Sequence, residues 1–171
     1  MTATDGPWQL RAFTPDDTAP LTEAFADPEI ARWSAGQLVE GDVLGWWTRR
    51  NDRDDPTHWS RAVAAADGTL VGAVSVFRLD PAQRSGEIGY MVLPHARCQG
   101  VARWAVATAC TQSFGALGVR RLSLFHALAN VGSCAVARTS RFRLEGTLRE
   151  AYRYGDGVWH DEHLHARLAS D

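Results

Sequence analysis

Gly86-Glu87-Ile88-Gly89-Tyr90-Met91-Val92-Leu93 runs directly into Pro94-His95-Ala96-Arg97-Cys98-Gln99-Gly100-Val101-Ala102-Arg103-Trp104. The first half is a short, mostly apolar run closed by a proline, which predicts a β-strand. The second half is a tight polar loop that opens a helix, predicted over Gly100 to Leu117 and low enough in charge to pack on a sheet. A helix start presents unpaired N–H groups and the positive end of its dipole, an arrangement that favours a phosphate or pyrophosphate. Gly100 lets a ligand approach the backbone closely, and Arg97 and Arg103 would add charge-assisted bonds. The dinucleotide fingerprint G-x-G-x-x-G does not fit, because only Gly100 is present. On spacing alone, a surface loop with arginines and no ligand remains an open reading.

Working outward, Trp8 to Phe13 alternates and predicts a strand. Thr14-Pro15-Asp16-Asp17 has the form of a helix start, and that helix is expected to run to Ala26 and stop at Asp27-Pro28. Val43 to Arg50 predicts a second, weaker helix, followed by a charged exposed loop over Arg49 to Pro56. His58 to Ala65 and Leu70 to Leu79 predict two strands joined by Asp67-Gly68. Beyond the central stretch come a strand over Arg121 to His126 and a short helix over Asn130 to Ser140. Two final strands, Phe142 to Tyr154 and Val158 to Leu168, are joined by Asp156-Gly157. The order β-α-α-β-β-β-α-β-α-β-β implies a mixed sheet with helices.

Composition narrows the chemistry. The 171 residues carry a formal charge of −2, and all 18 basic residues are arginine. The absence of lysine excludes a Walker-type phosphate loop, a kinase strand lysine and Schiff-base chemistry. Isoleucine and asparagine occur only twice each. All three depleted types use A/T-rich codons, so base composition of the genome accounts for the pattern. The near-neutral balance argues against nucleic acid as the main partner. Residues Met1 to Pro7 have no positive charge and no apolar run, and no uncharged stretch reaches the length of a membrane span. Cys98, Cys110 and Cys134 form no C-x-x-C pair. These features suggest a single cytoplasmic domain spanning residues 1–171.

The ordered motifs resemble the GNAT superfamily of acyltransferases. Arg97-x-x-Gly100-x-Ala102 matches its pyrophosphate motif. Asn130-x-x-Ser133, then Ser140-Arg141-Phe142-Arg143-Leu144-Glu145-Gly146, is similar to its Asn-x-x-Ser … Gly-Phe-x-x-Glu-Gly. The closing Gly155-Asp156-Gly157-Val158-Trp159-His160-Asp161-Glu162 and the opening Leu10-Arg11-Ala12 … Asp27-Pro28-Glu29 resemble the RimJ/RimL branch. The resemblance implies an α/β (α+β) GNAT fold, with a mixed sheet of about seven strands flanked by about four helices. It also implies acetyl-CoA or a related acyl-CoA as co-substrate. The backbone of Met91, Val92 and Leu93 would pair with the pantetheine arm. The loop Arg97, Cys98, Gln99, Gly100, Val101, Ala102 and Arg103 would hold the pyrophosphate, with Asn130 contacting CoA or the backbone. A homodimer is common in that branch. Three departures stand out: Cys98 and Gln99 fill loop positions where the family usually has basic residues and glycine, Arg141 replaces a glycine, and Ser133 stands where many relatives place a tyrosine near the CoA sulfur.

Acyl transfer to an amine needs a neutral nucleophile, oxyanion donors and a proton for the departing thiolate. Ser133 is the candidate for the thiolate; a helix-capping hydroxyl is the other reading. A backbone N–H within Met91 to Leu93 is the oxyanion donor expected. Glu87 ranks first as base and Glu150 second, with Tyr152 on the same strand face as Glu150. Trp33 and Trp46 would line an acceptor pocket or pack in the core, with Tyr152 as a further acceptor-binding candidate. An α-amine titrates about 2.5 units below a lysine, roughly 3.4 kcal/mol, so it requires a weaker base. The expected acceptor is therefore a primary amine, an α-amine ahead of lysine: a peptide or protein N-terminus, an amino-sugar antibiotic or a small metabolite. The alternative is a non-catalytic acyl-CoA-binding or interaction module. His163 and His165 share a strand face, His160 takes the other, and no second cluster completes four ligands, so no metal is expected. Cys98, beside a helix start, is either reactive or an inert loop residue.

Overall fold

The computed structural model of the chain describes residues 6–34, 42–52 and 54–171. Within them the apolar and alternating runs become seven strands: β1 (Trp8–Arg11), β2 (Trp59–Ala65), β3 (Leu70–Asp80), β4 (Ser85–Val92), β5 (Arg121–Ala127), β6 (Arg143–Arg153) and β7 (Trp159–Leu168). They form one sheet in the order β1-β2-β3-β4-β5-β7-β6. Every neighbouring pair is antiparallel except β4 and β5. The Asp67-Gly68 turn closes its hairpin as expected, with Gly68 at φ 91° and the Ala65 N–H donating to the Thr69 carbonyl.

The helices among the described residues are α1 (Thr18–Ala26), α2 (Pro28–Trp33), α3 (Val43–Arg50), α4 (Val101–Gly115) and α5 (Val131–Thr139). This is one more than the sequence suggests. Asp27-Pro28 does end α1, but it also begins α2. The Asp27 carboxylate accepts the N–H groups of Glu29 and Ile30 at 3.1 and 3.0 Å, and Pro28 fills the first helical position. Among the described residues no helix is long and apolar enough to cross a membrane.

The helices cover both faces of the sheet. α4 and α5 close one face over Val74, Val76, Ile88, Leu122 and Leu124. α1, α2 and α3 close the other over Ala62, Ala73 and Leu93, with Leu21 and Trp46 as their main anchors. Leu21, Leu93, Leu122 and Leu124 are essentially inaccessible, and each such burial contributes about 1.5–3 kcal/mol.

One irregularity positions everything that follows. β4 and β5 pair only at Ser85↔Arg121, Gly86↔Leu122 and Glu87↔Ser123. Beyond those pairs β4 stays with β3 as far as Val92, while β5 stays with β7 as far as Ala127. The two strands diverge, and the sheet opens along a line between them.

Candidate active site

The opening exposes one set of backbone groups. The Leu93 N–H donates to the Val71 carbonyl at 3.0 Å, which commits the Leu93 backbone to β3. Antiparallel alternation commits Met91 likewise and turns the N–H and C=O groups of Tyr90 and Val92 toward the divergent side. Within Met91 to Leu93, the segment expected to meet the pantetheine arm, Val92 is thus the residue whose amide faces the opening.

At its mouth lies the polar loop. Pro94–Ala96 makes one 3-10 turn, Cys98 takes φ 59° and Gly100 takes φ 90°. The Trp104 N–H donates to the Gly100 carbonyl, so the N–H groups of Val101, Ala102 and Arg103 have no acceptor within α4. Cys98, Gln99, Gly100 and Arg103 are exposed beside them. Gly100 is required by its left-handed backbone. Arg97 is committed elsewhere. Its guanidinium reaches the Asp27 carboxylate at 2.5 and 3.5 Å and ties the loop to the start of α2. Arg97, together with the N–H groups of Ile30 and Glu29, holds the Asp27 carboxyl below the usual carboxylate range. The loop therefore offers an anion its backbone amides and Arg103, with Arg97 already paired.

On the α4–α5 side, Asn130 caps α5 by accepting the Ser133 N–H at 2.9 Å. Capping thus falls to the Asn130 side chain rather than the Ser133 hydroxyl. The Tyr90 hydroxyl is buried and has no hydrogen-bond partner among the described residues. Burial pushes this phenol up to about 12, and the nearby Ser133 hydroxyl moderates the rise. A buried, unsatisfied phenol at the edge of an opening is a donor available to a ligand. Sequence reasoning passed over Tyr90 because it points away from Glu87; both faces of β4 border the opening.

On the α1–α2 side, Glu87 is mostly buried and pairs with Arg78 at 2.7 Å. Burial raises its pKa despite Arg78, and the charge of Glu162 adds to the rise. Glu162 on β7 is buried and accepts the Tyr154 hydroxyl at 2.6 Å. Burial and this carboxylate together push the Tyr154 phenol upward. Trp33 stands edge-on to Tyr154 and His160 at 5.7 and 5.8 Å, and Tyr152 is edge-on to Tyr154 at 5.2 Å. Trp33 and Tyr152 are therefore brought together, around a Glu162–Tyr154 pair that sequence reasoning missed. The available signal was period two along β7, which sets Glu162 on the same face as His160.

Two expected residues lie elsewhere. Trp46 is 6% exposed, packed edge-on against Phe13 and Phe25 with the Arg50 guanidinium 3.7 Å above its ring. It belongs to the core because its face of α3 is the buried one. Glu150 is exposed at a bulge in β6, with φ 45° and its N–H donating to Asp161. The bulge breaks the period-two reasoning that had aimed it at the site. The expectation that no further ligand joins His163 and His165 also needs correction. His126 from β5 and Cys134 from α5 complete a group of four whose ligand atoms all lie within 4.8 Å of one another.

Comparison with known proteins places this arrangement. Residues 9–143 match the acetyltransferase (GNAT) domain family. YdaF of Bacillus subtilis (strain 168), provisionally named for ribosomal N-acetylation, is 33% identical over 161 residues, covering 89% of this chain and 86% of that protein. Spermidine N-acetyltransferase from Vibrio cholerae, in complex with CoA and spermine, shares the fold at TM-score 0.83 and 22% identity, covering 96% of each chain. Ribosomal-protein-S5-alanine acetyltransferase from Vibrio fischeri does so at TM-score 0.83 and 19% identity, covering 97% of this chain and 95% of that one. With its family model matched over most of its length and a relative of this identity, the chain belongs to the GNAT acetyltransferase family, as an acetyl-CoA-dependent N-acetyltransferase.

Proposed function

We propose that this enzyme acetylates an α-amine, that of a peptide or protein N-terminus or a small molecule, by direct transfer in a ternary complex. The observation that carries the reading is the division of labour across the seam. Carboxylates Glu87 and Glu162 stand on one face, the Tyr90 and Ser133 hydroxyls on the other, and the Val92 amide lies between them.

In this reading the acceptor enters from the α1–α2 side, past Trp33 and Tyr152. Glu87 and Glu162 receive the proton shed by its ammonium group, directly or through water. The neutral nitrogen attacks the thioester carbon, and the Val92 N–H donates to the developing oxyanion. The carbon–sulfur bond breaks, and the Tyr90 hydroxyl, with Ser133 behind it, donates to the departing thiolate. The raised pKa of Glu87 makes it a better proton acceptor than a solvated carboxylate, yet still a weak base beside a lysine ammonium. This mismatch favours an α-amine. The relative named for ribosomal N-acetylation adds support for a protein acceptor.

The test is the rate of free-thiol release from acetyl-CoA with three acceptors: peptides bearing only a free α-amine, Nα-blocked peptides bearing only lysine, and spermidine. The free α-amine peptides are expected to turn over fastest. Glu162→Gln and Tyr90→Phe should each lower kcat by about 10²-fold, the usual reach of one positioned acid or base. Faster turnover of the blocked lysine peptides or of spermidine would refute the acceptor assignment. Unchanged kcat in both variants would refute the residue roles.

A further inference from the structure

Four side chains without a part in acyl transfer converge on the sheet face opposite Glu87. Their register explains the meeting: His126 lies across from His163, and Leu124 across from His165. All three imidazoles therefore share one face. α5 lies over that face and supplies Cys134. His126 and His165 are buried, while Cys134 and His163 are half-buried.

The hydrogen bonds define two of the rings. His126 Nδ1 lies 2.8 Å from the Ala127 carbonyl oxygen, and His165 Nδ1 lies 3.4 Å from that of Phe142. A carbonyl oxygen only accepts, so each Nδ1 carries the hydrogen and each Nε2 of a neutral ring presents a bare lone pair. Those two Nε2 atoms are 3.2 Å apart. Two lone pairs facing at that distance repel unless a cation lies between them. A shared proton would answer for this pair alone. It would leave unexplained the Cys134 sulfur and His163, whose Nδ1 is buried with no hydrogen-bond partner among the described residues.

We infer that His126, His163, His165 and Cys134 form a structural zinc site. Tetrahedral zinc, with nitrogen at about 2.0–2.1 Å and sulfur at about 2.3 Å, separates its ligand atoms by roughly 3.3–3.6 Å. The observed 3.2 Å contact and the 4.8 Å limit on the whole set bracket that range. Imidazole and thiolate donors select zinc over the oxygen-seeking magnesium and calcium ions. Backbone carbonyls on the far nitrogens orient His126 and His165 in the manner usual for metal-bound imidazoles. Binding displaces the Cys134 thiol proton to solvent. Four protein donors leave no position for water, so the site is structural. It clamps the first turn of α5 onto β5 and β7. Cys134 directly follows Ser133, so the clamp also fixes Ser133 against Tyr90.

The full chain, purified without metal-affinity steps, would be incubated with zinc, dialysed exhaustively and assayed by elemental analysis. A parallel sample would receive cobalt. The wild type should retain about one zinc per chain and show a near-ultraviolet thiolate-to-cobalt charge-transfer band. Cys134→Ala should lose the band and His165→Ala should lose at least about nine-tenths of the zinc, while Cys98→Ser keeps both signals. A wild type that holds no zinc and gives no band would overturn the inference whether or not the variants fold. So would a Cys134→Ala protein that keeps the charge-transfer band. Neither readout uses acetylation, so failure here is distinct from failure of the proposed reaction.

Discussion

Arg141 sits at φ 66°, where an L side chain with a Cβ is strained. The surrounding hydrogen bonds explain why the chain adopts that angle. The Phe142 N–H donates to the Ala137 carbonyl at 2.9 Å, and the Arg141 N–H to that of Arg138 at 3.2 Å. This pairing is a Schellman closure of α5, with Arg141 at the position that usually holds glycine. Phe142 is pulled into the core immediately afterward, so the turn has no alternative path. Arg141→Gly should therefore stabilise the protein by roughly 0.5–1 kcal/mol, the left-handed strain less the added freedom of the unfolded chain. The urea midpoint reports it, and a fall in that midpoint would contradict the strain argument. The motif comparison marks Arg141 as a substituted glycine, so this feature is legible before any coordinates are known. Tyr90 is the contrasting case. Nothing in its neighbours in sequence shows that its hydroxyl ends beside Ser133, because that proximity depends on how α5 lies over β4.

At the scale of elements, the join between α1 and α2 does two tasks with one carboxylate. Asp27 caps α2 and holds Arg97. Asparagine can still accept the two capping N–H groups but cannot form the ion pair. Asp27→Asn should therefore free Arg97 for the CoA phosphates and lower the KM for acetyl-CoA by roughly two- to fivefold, the reach of one screened surface charge. A raised KM would mean instead that the tie itself shapes the loop. Element type and order follow closely from period, caps and Asp-Gly turns, which are local signals. What local signals do not carry are bulges and crossings. The β6 bulge turned Glu150 to solvent, and the burial of one face of α3 drew Trp46 into the core. The His126–Cys134–His163–His165 group joins three elements whose spacing in sequence matches no familiar ligand pattern.

For the whole molecule, the sheet is two blocks, β1 to β4 and β5 to β7, joined by three residue pairs and bridged by α4. Ligand in the seam should be visible in backbone hydrogen exchange. The Tyr90 and Val92 amides should slow by up to about 100-fold with CoA present at 100 times its Kd, while Met91 and Leu93, already bonded to β3, change little. Uniform protection along β4 would indicate global tightening without pairing in the seam.

The seam has a further consequence for selectivity. By withholding the β5 partner from Tyr90 and Val92, the fold gives up hydrogen bonds that would each contribute about 1 kcal/mol to its stability, and keeps their donors and acceptors as a template. Such a template recognises amide groups at strand spacing. It is blind to whatever the thioester carries, since acyl groups of different length hang from the same pantetheine. In the proposed reading, discrimination between an acetyl and a longer acyl group falls to side chains beyond the template, with Tyr90 and Ser133 on one face and Trp33 and Tyr154 on the other. A change in acyl preference would be engineered there, with grip on the cofactor left untouched.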